Sequence, residues 1–184
     1  MTTRLLIYAT LLMFAPAAVS ITAAQDSEQD VSLLKAVFIY NFAKFTRWPE
    51  NTSNDMQNSL TLCSIGDDSL VSELDRLGGR TIRGRPVRID RQNAETIDPE
   101  KCHVLYVANS MRDNTQDVLE HLTDKPILTV SELPSFTQSG GMVELKRDKD
   151  KIRFIINLHV ARKAGLKLSA RLLNLATVVG DEER

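Results

Sequence analysis

The sequence has almost no excess of either charge, few cysteines and histidines, and none of the short motifs that mark common chemistries. Twenty-three basic residues stand against 24 acidic ones, a net charge of −1. A chain so balanced has no electrostatic reason to seek nucleic acid or an anionic membrane. No Gly-Lys-Ser/Thr ending and no Gly-x-Gly-x-x-Gly after a strand is present, which excludes the usual nucleotide cradles. No Gly-x-Ser-x-Gly elbow appears, and the three histidines lack metal-ligand spacing. Internal repeats, low-complexity tracts and interdomain linkers are absent as well, so one domain is expected. No cofactor and no catalytic residue is indicated.

Long apolar runs are missing except at the start. Arg4 gives a short basic opening, and Leu5 to Val19 is an uncharged apolar run that ends in small residues. It is shorter than the roughly 20 residues a spanning helix needs. This reads as a secretory signal over residues 1–24, cleaved after Ser20 or Ala24, which leaves a domain over 25–184 without a membrane insertion. Loss of Arg4 leaves 22 basic against 24 acidic residues, a net charge of −2. Both cysteines, Cys63 and Cys102, lie in the mature part, and an even count in an oxidising compartment permits one disulfide.

What is present is an α/β rhythm. Leu34, Phe38, Phe42 and Phe45 recur at three- and four-residue steps and predict a helix over Asp30 to Trp48, ended by Pro49. Asn51-Thr52-Ser53 fits a glycosylation sequon but is read as polar loop. Leu60 to Ile65 predicts a strand, Leu70 to Leu77 a helix capped by Asp68 or Ser69, and Arg85 to Ile89 a strand near a sheet edge because of Pro86. His103 to Ala108 and Ile127 to Val130 are nearly unbroken apolar strands, with a polar helix from Asp113 to Leu122 between them. Such an order predicts a three-layer α/β fold with a largely parallel sheet and flanking helices. Met142 to Leu145 and Ile152 to Ile156 predict a C-terminal hairpin. Asn157 and Ser169 then cap two helices, to Ala164 and to Leu175, or a single bent one.

Chemistry-bearing neighbours have plain structural alternatives. Adjacent strand residues face opposite ways, so Cys102 and His103 cannot act as a thiol and its base. Asp67 and Asp68 follow a strand where open α/β folds place ligand loops, yet helix capping explains Asp68 better. Arg80, Arg83 and Arg85 beside Gly78-Gly79 and Gly84 could cradle an anion, although a solvated loop is favoured. The stretch from Ala36 to Ala43 differs, because its apolar residues nearly encircle the helix and exceed what one packed face uses. Ile39 and Tyr40 lie off the Leu34-Phe38-Phe42-Phe45 stripe and are the residues chosen for partner contact.

Lys35-Ala36-Val37-Phe38-Ile39-Tyr40-Asn41-Phe42-Ala43-Lys44-Phe45, Trp48-Pro49, Cys102 to Tyr106, Leu128 to Ser131, Gly140-Gly141-Met142 and Ala164 to Ser169 together give the chain a likeness. It resembles the YfiR family of exported bacterial regulators. The resemblance implies a periplasmic protein, commonly a homodimer, that represses an inner-membrane diguanylate cyclase of the cyclic-di-GMP pathway by binding its periplasmic domain. A sensor kinase could stand in the cyclase's place, and an outer-membrane lipoprotein could oppose the binding. Cys63 and Cys102 match a cysteine pair of some relatives, and their strand positions favour an intrachain disulfide. A second pair of some relatives is missing, with Thr137 and Glu144 in that neighbourhood. The competing class is a small-ligand receptor whose loops after Ile65, Ala108 and Val130 form a cleft.

Overall fold

A computed structural model describes residues 22–50, 58–149 and 151–181, with side chains from Glu28 onward. The expected leader and its expected cleavage sites lie largely outside the described residues, and the sequon at 51–53 wholly so. Among the described residues no helix is long and apolar enough to cross a membrane.

The chain opens with α1 (Thr22–Phe45), which passes into the two-residue strand β1 (Thr46–Arg47). There follow β2 (Leu60–Ile65), α2 (Ser69–Asp75), β3 (Thr81–Ile82), β4 (Arg85–Gln92), β5 (Val104–Val107), α3 (Thr115–His121) and β6 (Leu128–Ser131). The last third holds the hairpin β7 (Val143–Asp148) and β8 (Lys151–Asn157), then α4 (Leu158–Lys163), β9 (Lys167–Leu168), α5 (Ala170–Leu173) and β10 (Thr177–Val179). Eight strands form one sheet in the order β10-β8-β7-β6-β5-β2-β4-β3, and β1 pairs with β9 in a separate ribbon. Only β3 with β4 and β7 with β8 run antiparallel within the large sheet. The expected largely parallel α/β architecture is therefore the observed one.

Strands β5 and β6 are buried along their whole length, and β2 nearly so, because helices cover both faces. One face carries Leu62, Val104, Tyr106 and Val130 beneath α1 and α2. The other carries Cys63, Leu105 and Val107 beneath α3 and the segment through Phe136.

Local chemistry accounts for the helix ends. Asp68 caps α2, Asn157 caps α4 through Val160 N, and Ser169 caps α5 through Leu172 N. Gly165, at φ 76°, closes α4, and Lys167–Leu168 then leaves as a strand, so the single bent helix does not occur. The final helix stops at Leu173 rather than Leu175. Thr177-Val178-Val179 instead adds a strand parallel to β8, as suits β-branched residues.

The register of α1 corrects the sequence reading. Its buried line is Ser32, Ala36, Ile39, Phe42 and Ala43, while Leu34 is 45% exposed and Phe38 and Phe45 are half-buried. The small side chains Ala36 and Ala43 let the backbone approach its neighbours, and Ser32 bonds Ser69 across to α2. Counting large apolar residues placed the stripe on the aromatics and missed the alanines.

Candidate functional site

In the sheet order, β2 and β5 lie side by side although β4 follows β2 in the chain. This reversal is where open α/β folds leave a ligand crevice. Here the crevice is closed by the chain itself. Gly66 turns at φ 75°, and a Cβ there would sit 2.5 Å from Ser110 Oγ and 2.6 Å from Met111 Cγ. Asp67 N–H donates to Ser110 Oγ at 2.8 Å. Asp68 uses both oxygens: Oδ1 accepts from Leu70 N and Val71 N, and Oδ2 from Asn109 N at 3.0 Å and the Tyr106 hydroxyl at 2.8 Å. The carboxylate thus occupies the place an anionic ligand would take.

Tyr106 is fully buried, and its hydroxyl also lies 3.5 Å from Glu132 Oε2. Burial first, then the facing Asp68 and Glu132 carboxylates, push its ionisation far above the ordinary phenol range. Lys35 from α1 forms an ion pair with Glu132 and neutralises the second carboxylate. This Lys35–Glu132–Tyr106–Asp68 chain ties α1, β5, β6 and α2 together. Sequence reading did not find it, since its members are separated by up to 97 positions.

Beside the network opens a cleft of about 520 Å³. Asp68, Asn109 and Glu132, one from each of the loops after β2, β5 and β6, share its wall with Glu144, Lys146 and Arg147. Glu144 Oε2 accepts from Thr137 N and Thr137 Oγ1, both near 3.4 Å, so these two residues are joined although neither is cysteine.

Cys63 and Cys102 form a disulfide with Cα atoms 5.7 Å apart, as expected. The Cys102 sulfur is therefore not a free nucleophile. His103 is fully buried, its Nδ1 accepts from Thr61 N at 3.0 Å, and its ring meets the edge of Trp48. An accepting Nδ1 fixes the proton on Nε2. The Cys102-His103 neighbours are structural, on both counts.

The arginine cluster is a hairpin rather than an anion cradle. Arg83 and Gly84, at φ 52° and 80°, make the two-residue turn between β3 and β4. Arg83 Nη2 donates to Lys44 O at 2.6 Å, and Tyr40 donates its hydroxyl to Thr81 O at 2.7 Å. Burial, and then Arg83, lower the ionisation of Arg85. Tyr40 is accordingly half-buried against this hairpin. Ile39 is fully buried, so its expected role as a partner contact is corrected: it packs between α1 and the sheet and cannot reach another molecule.

Apart from Leu175 and Val179 near the C-terminus, the exposed large apolar side chains among the described residues run along the outside of α1. Leu33, Leu34 and Val37 are 43%, 45% and 41% exposed. Past the end of the helix the charge turns basic. Ser169 N–H bonds Phe45 O, and register places Arg47 opposite Lys167 in the β1–β9 ribbon. Lys44 and Arg171 both lie over the Phe45 ring, at 6.0 and 5.5 Å. Like charges directly opposite in a ribbon repel. Among the described residues, Lys44, Arg47, Arg83, Lys167 and Arg171 make no ion pair.

The switch-point crevice, the apolar strip on α1 and the basic residues without an ion pair among the described residues all belong to one α/β fold. The YfiR/HmsC-like family model matches residues 32–177 of the 184. The chain belongs to that family.

Proposed function

We propose that the chain is an exported regulatory protein that represses a membrane-bound diguanylate cyclase by binding the cyclase's periplasmic domain. Family membership supports a periplasmic regulator of such cyclases. The observation that carries the reading to a surface is the basic corner, where register sets Arg47 opposite Lys167, Arg171 lies over the Phe45 ring, and none of the three makes an ion pair among the described residues. An acidic patch on the receptor would relieve that repulsion and orient the complex. Repression then needs only tighter binding to the inactive receptor conformation. A preference of about 3 kcal/mol shifts the receptor's equilibrium more than a hundredfold.

The test is binding of the mature chain to the isolated periplasmic domains of its host's membrane-bound diguanylate cyclases, with cyclic-di-GMP measured in cells. Arg47→Glu with Lys167→Glu should weaken binding by roughly tenfold to a hundredfold and flatten its salt dependence. Full affinity in that variant would remove the basic corner from the account, and no affinity in the native protein would remove the receptor.

The cleft of about 520 Å³ favours a second reading, a small-ligand receptor, because loops after β2, β5 and β6 all reach it. Screening periplasmic metabolites for a rise in melting temperature distinguishes the two. A ligand whose effect disappears in Glu132→Gln would favour the second.

A further inference from the structure

Strand β7 outruns the strand beside it. Its neighbour β6 ends at Ser131, opposite Glu144, whereas β7 continues to Asp148. Over residues 145–148 the only strand paired with β7 among the described residues is β8, on its other side. Alternate residues of a strand turn their backbone N–H and C=O to the same side, so about two of these four offer both groups along the line where β6 stops. The cleft of about 520 Å³ opens at this place, with Leu145, Lys146 and Arg147 in its wall.

The charges of the cleft lie along the same line. Glu144, at the foot of the unpaired run, is 7% exposed and makes no ion pair among the described residues. Thr137 donates to it from its backbone N–H and its hydroxyl, but at 3.4 and 3.3 Å. Glu132 in the same wall is by contrast neutralised by Lys35. Lys146 and Arg147 follow two and three positions along β7, about 7 to 10 Å further on. Both are exposed, and neither makes an ion pair among the described residues. A carboxylate taken out of water without a cation is unfavourable, and an ammonium placed against it offsets that cost through charge-assisted hydrogen bonds.

We propose that the cleft binds a short free peptide of about three residues, extended beside β7 where β6 stops. Its N-terminal ammonium meets Glu144, and its C-terminal carboxylate meets Lys146 and Arg147. That polarity runs in the direction of β7 itself, so the peptide continues the parallel order in which β6 lies against β7. Three extended residues span about 10 Å, which matches the separation of the two charged ends of the cleft. A free amino acid carries the same two charges but cannot span them, and it has no peptide amide to offer the strand edge. Main-chain pairing of this kind supplies affinity and leaves the choice of side chains open. Such a peptide is one form of the small ligand of the second reading, and the assignment rests on that reading.

Calorimetric titration and thermal melting of the mature chain with trialanine test it, together with native mass spectrometry against a tripeptide library with free termini. One bound peptide per chain and a raised melting temperature are expected. N-acetylation, C-terminal amidation or methylation of the peptide nitrogens should each weaken binding about tenfold, and free alanine should bind more weakly still. Glu144→Gln should weaken binding by about tenfold to a hundredfold. Lys146→Glu with Arg147→Glu changes only exposed side chains, so it should keep the native melting temperature and lose about tenfold in affinity. Capped peptides or free alanine bound as tightly as trialanine, or full affinity in both variants, would overturn the proposal. So would the absence of any bound tripeptide. If another periplasmic metabolite then raised the melting temperature, the second reading would outlive the peptide; if none did, both would fall.

Discussion

At the scale of single residues, the buried Tyr106 hydroxyl has one proton and two carboxylates before it. It donates to Asp68 at 2.8 Å, while Glu132, at 3.5 Å, is satisfied by Lys35. Tyr106→Phe should therefore cost about 1 to 3 kcal/mol of folding stability by denaturant melting, since Asp68 keeps its three backbone donors. Alkali gives a second check. The folded phenol holds its proton above the ordinary value of 10.0, so above that pH the unfolded chain binds fewer protons than the folded one. The associated stability is fully present below about pH 10 and falls by about 1.4 kcal/mol per pH unit above it. Phenolate absorbance should show Tyr106 silent until the protein unfolds. Smooth titration of Tyr106 in the folded state would contradict the buried network.

Among the elements, α1 has two apolar faces that should respond differently to substitution. Ile39→Ala should cost about 2 to 5 kcal/mol through lost burial and a cavity, whereas Leu34→Ala should cost well under about 1 kcal/mol. Thermal melting of the two variants decides it. Equal losses would mean that the outer face is buried too. The β1–β9 ribbon matters at the same scale: Thr46 donates its hydroxyl to Phe42 O and is fully buried, so α1 passes into the ribbon without fraying and holds Arg47 opposite Lys167.

Across the whole molecule, the Cys63–Cys102 bond joins β2 to the start of β5, the two strands that flank the chain reversal. It closes a loop spanning 39 positions, worth roughly 3 to 4 kcal/mol on the chain-entropy model. Reduction should lower the melting temperature yet leave the far-ultraviolet circular dichroism unchanged at room temperature, because both hydrophobic cores remain. Collapse of the spectrum on reduction would show that the cores do not hold the fold alone.

The local pattern of the chain was enough to read the strand at 60–65, the one at 127–130 to within a residue, the β7–β8 hairpin and the caps Asp68, Asn157 and Ser169. Each depends on residues within a few positions of one another: apolar runs for buried strands, a polar oxygen before a helix for a cap. The surplus of apolar residues on α1 was legible for the same reason, as composition around one helix. Which of them are surplus was not. That depended on how closely Ala36 and Ala43 allow the helix to approach its neighbours, and so Ile39 turned inward and Leu33, Leu34 and Val37 outward. The short strands β1, β9, β3 and β10 exist only because their partners lie far along the chain, and two or three residues carry no periodicity. The Lys35–Glu132–Tyr106–Asp68 network and the basic corner were decided by the tertiary structure for the same physical reason. Electrostatic and hydrogen-bonded contacts act over a few ångströms of space, and the sequence separates those partners by tens of residues.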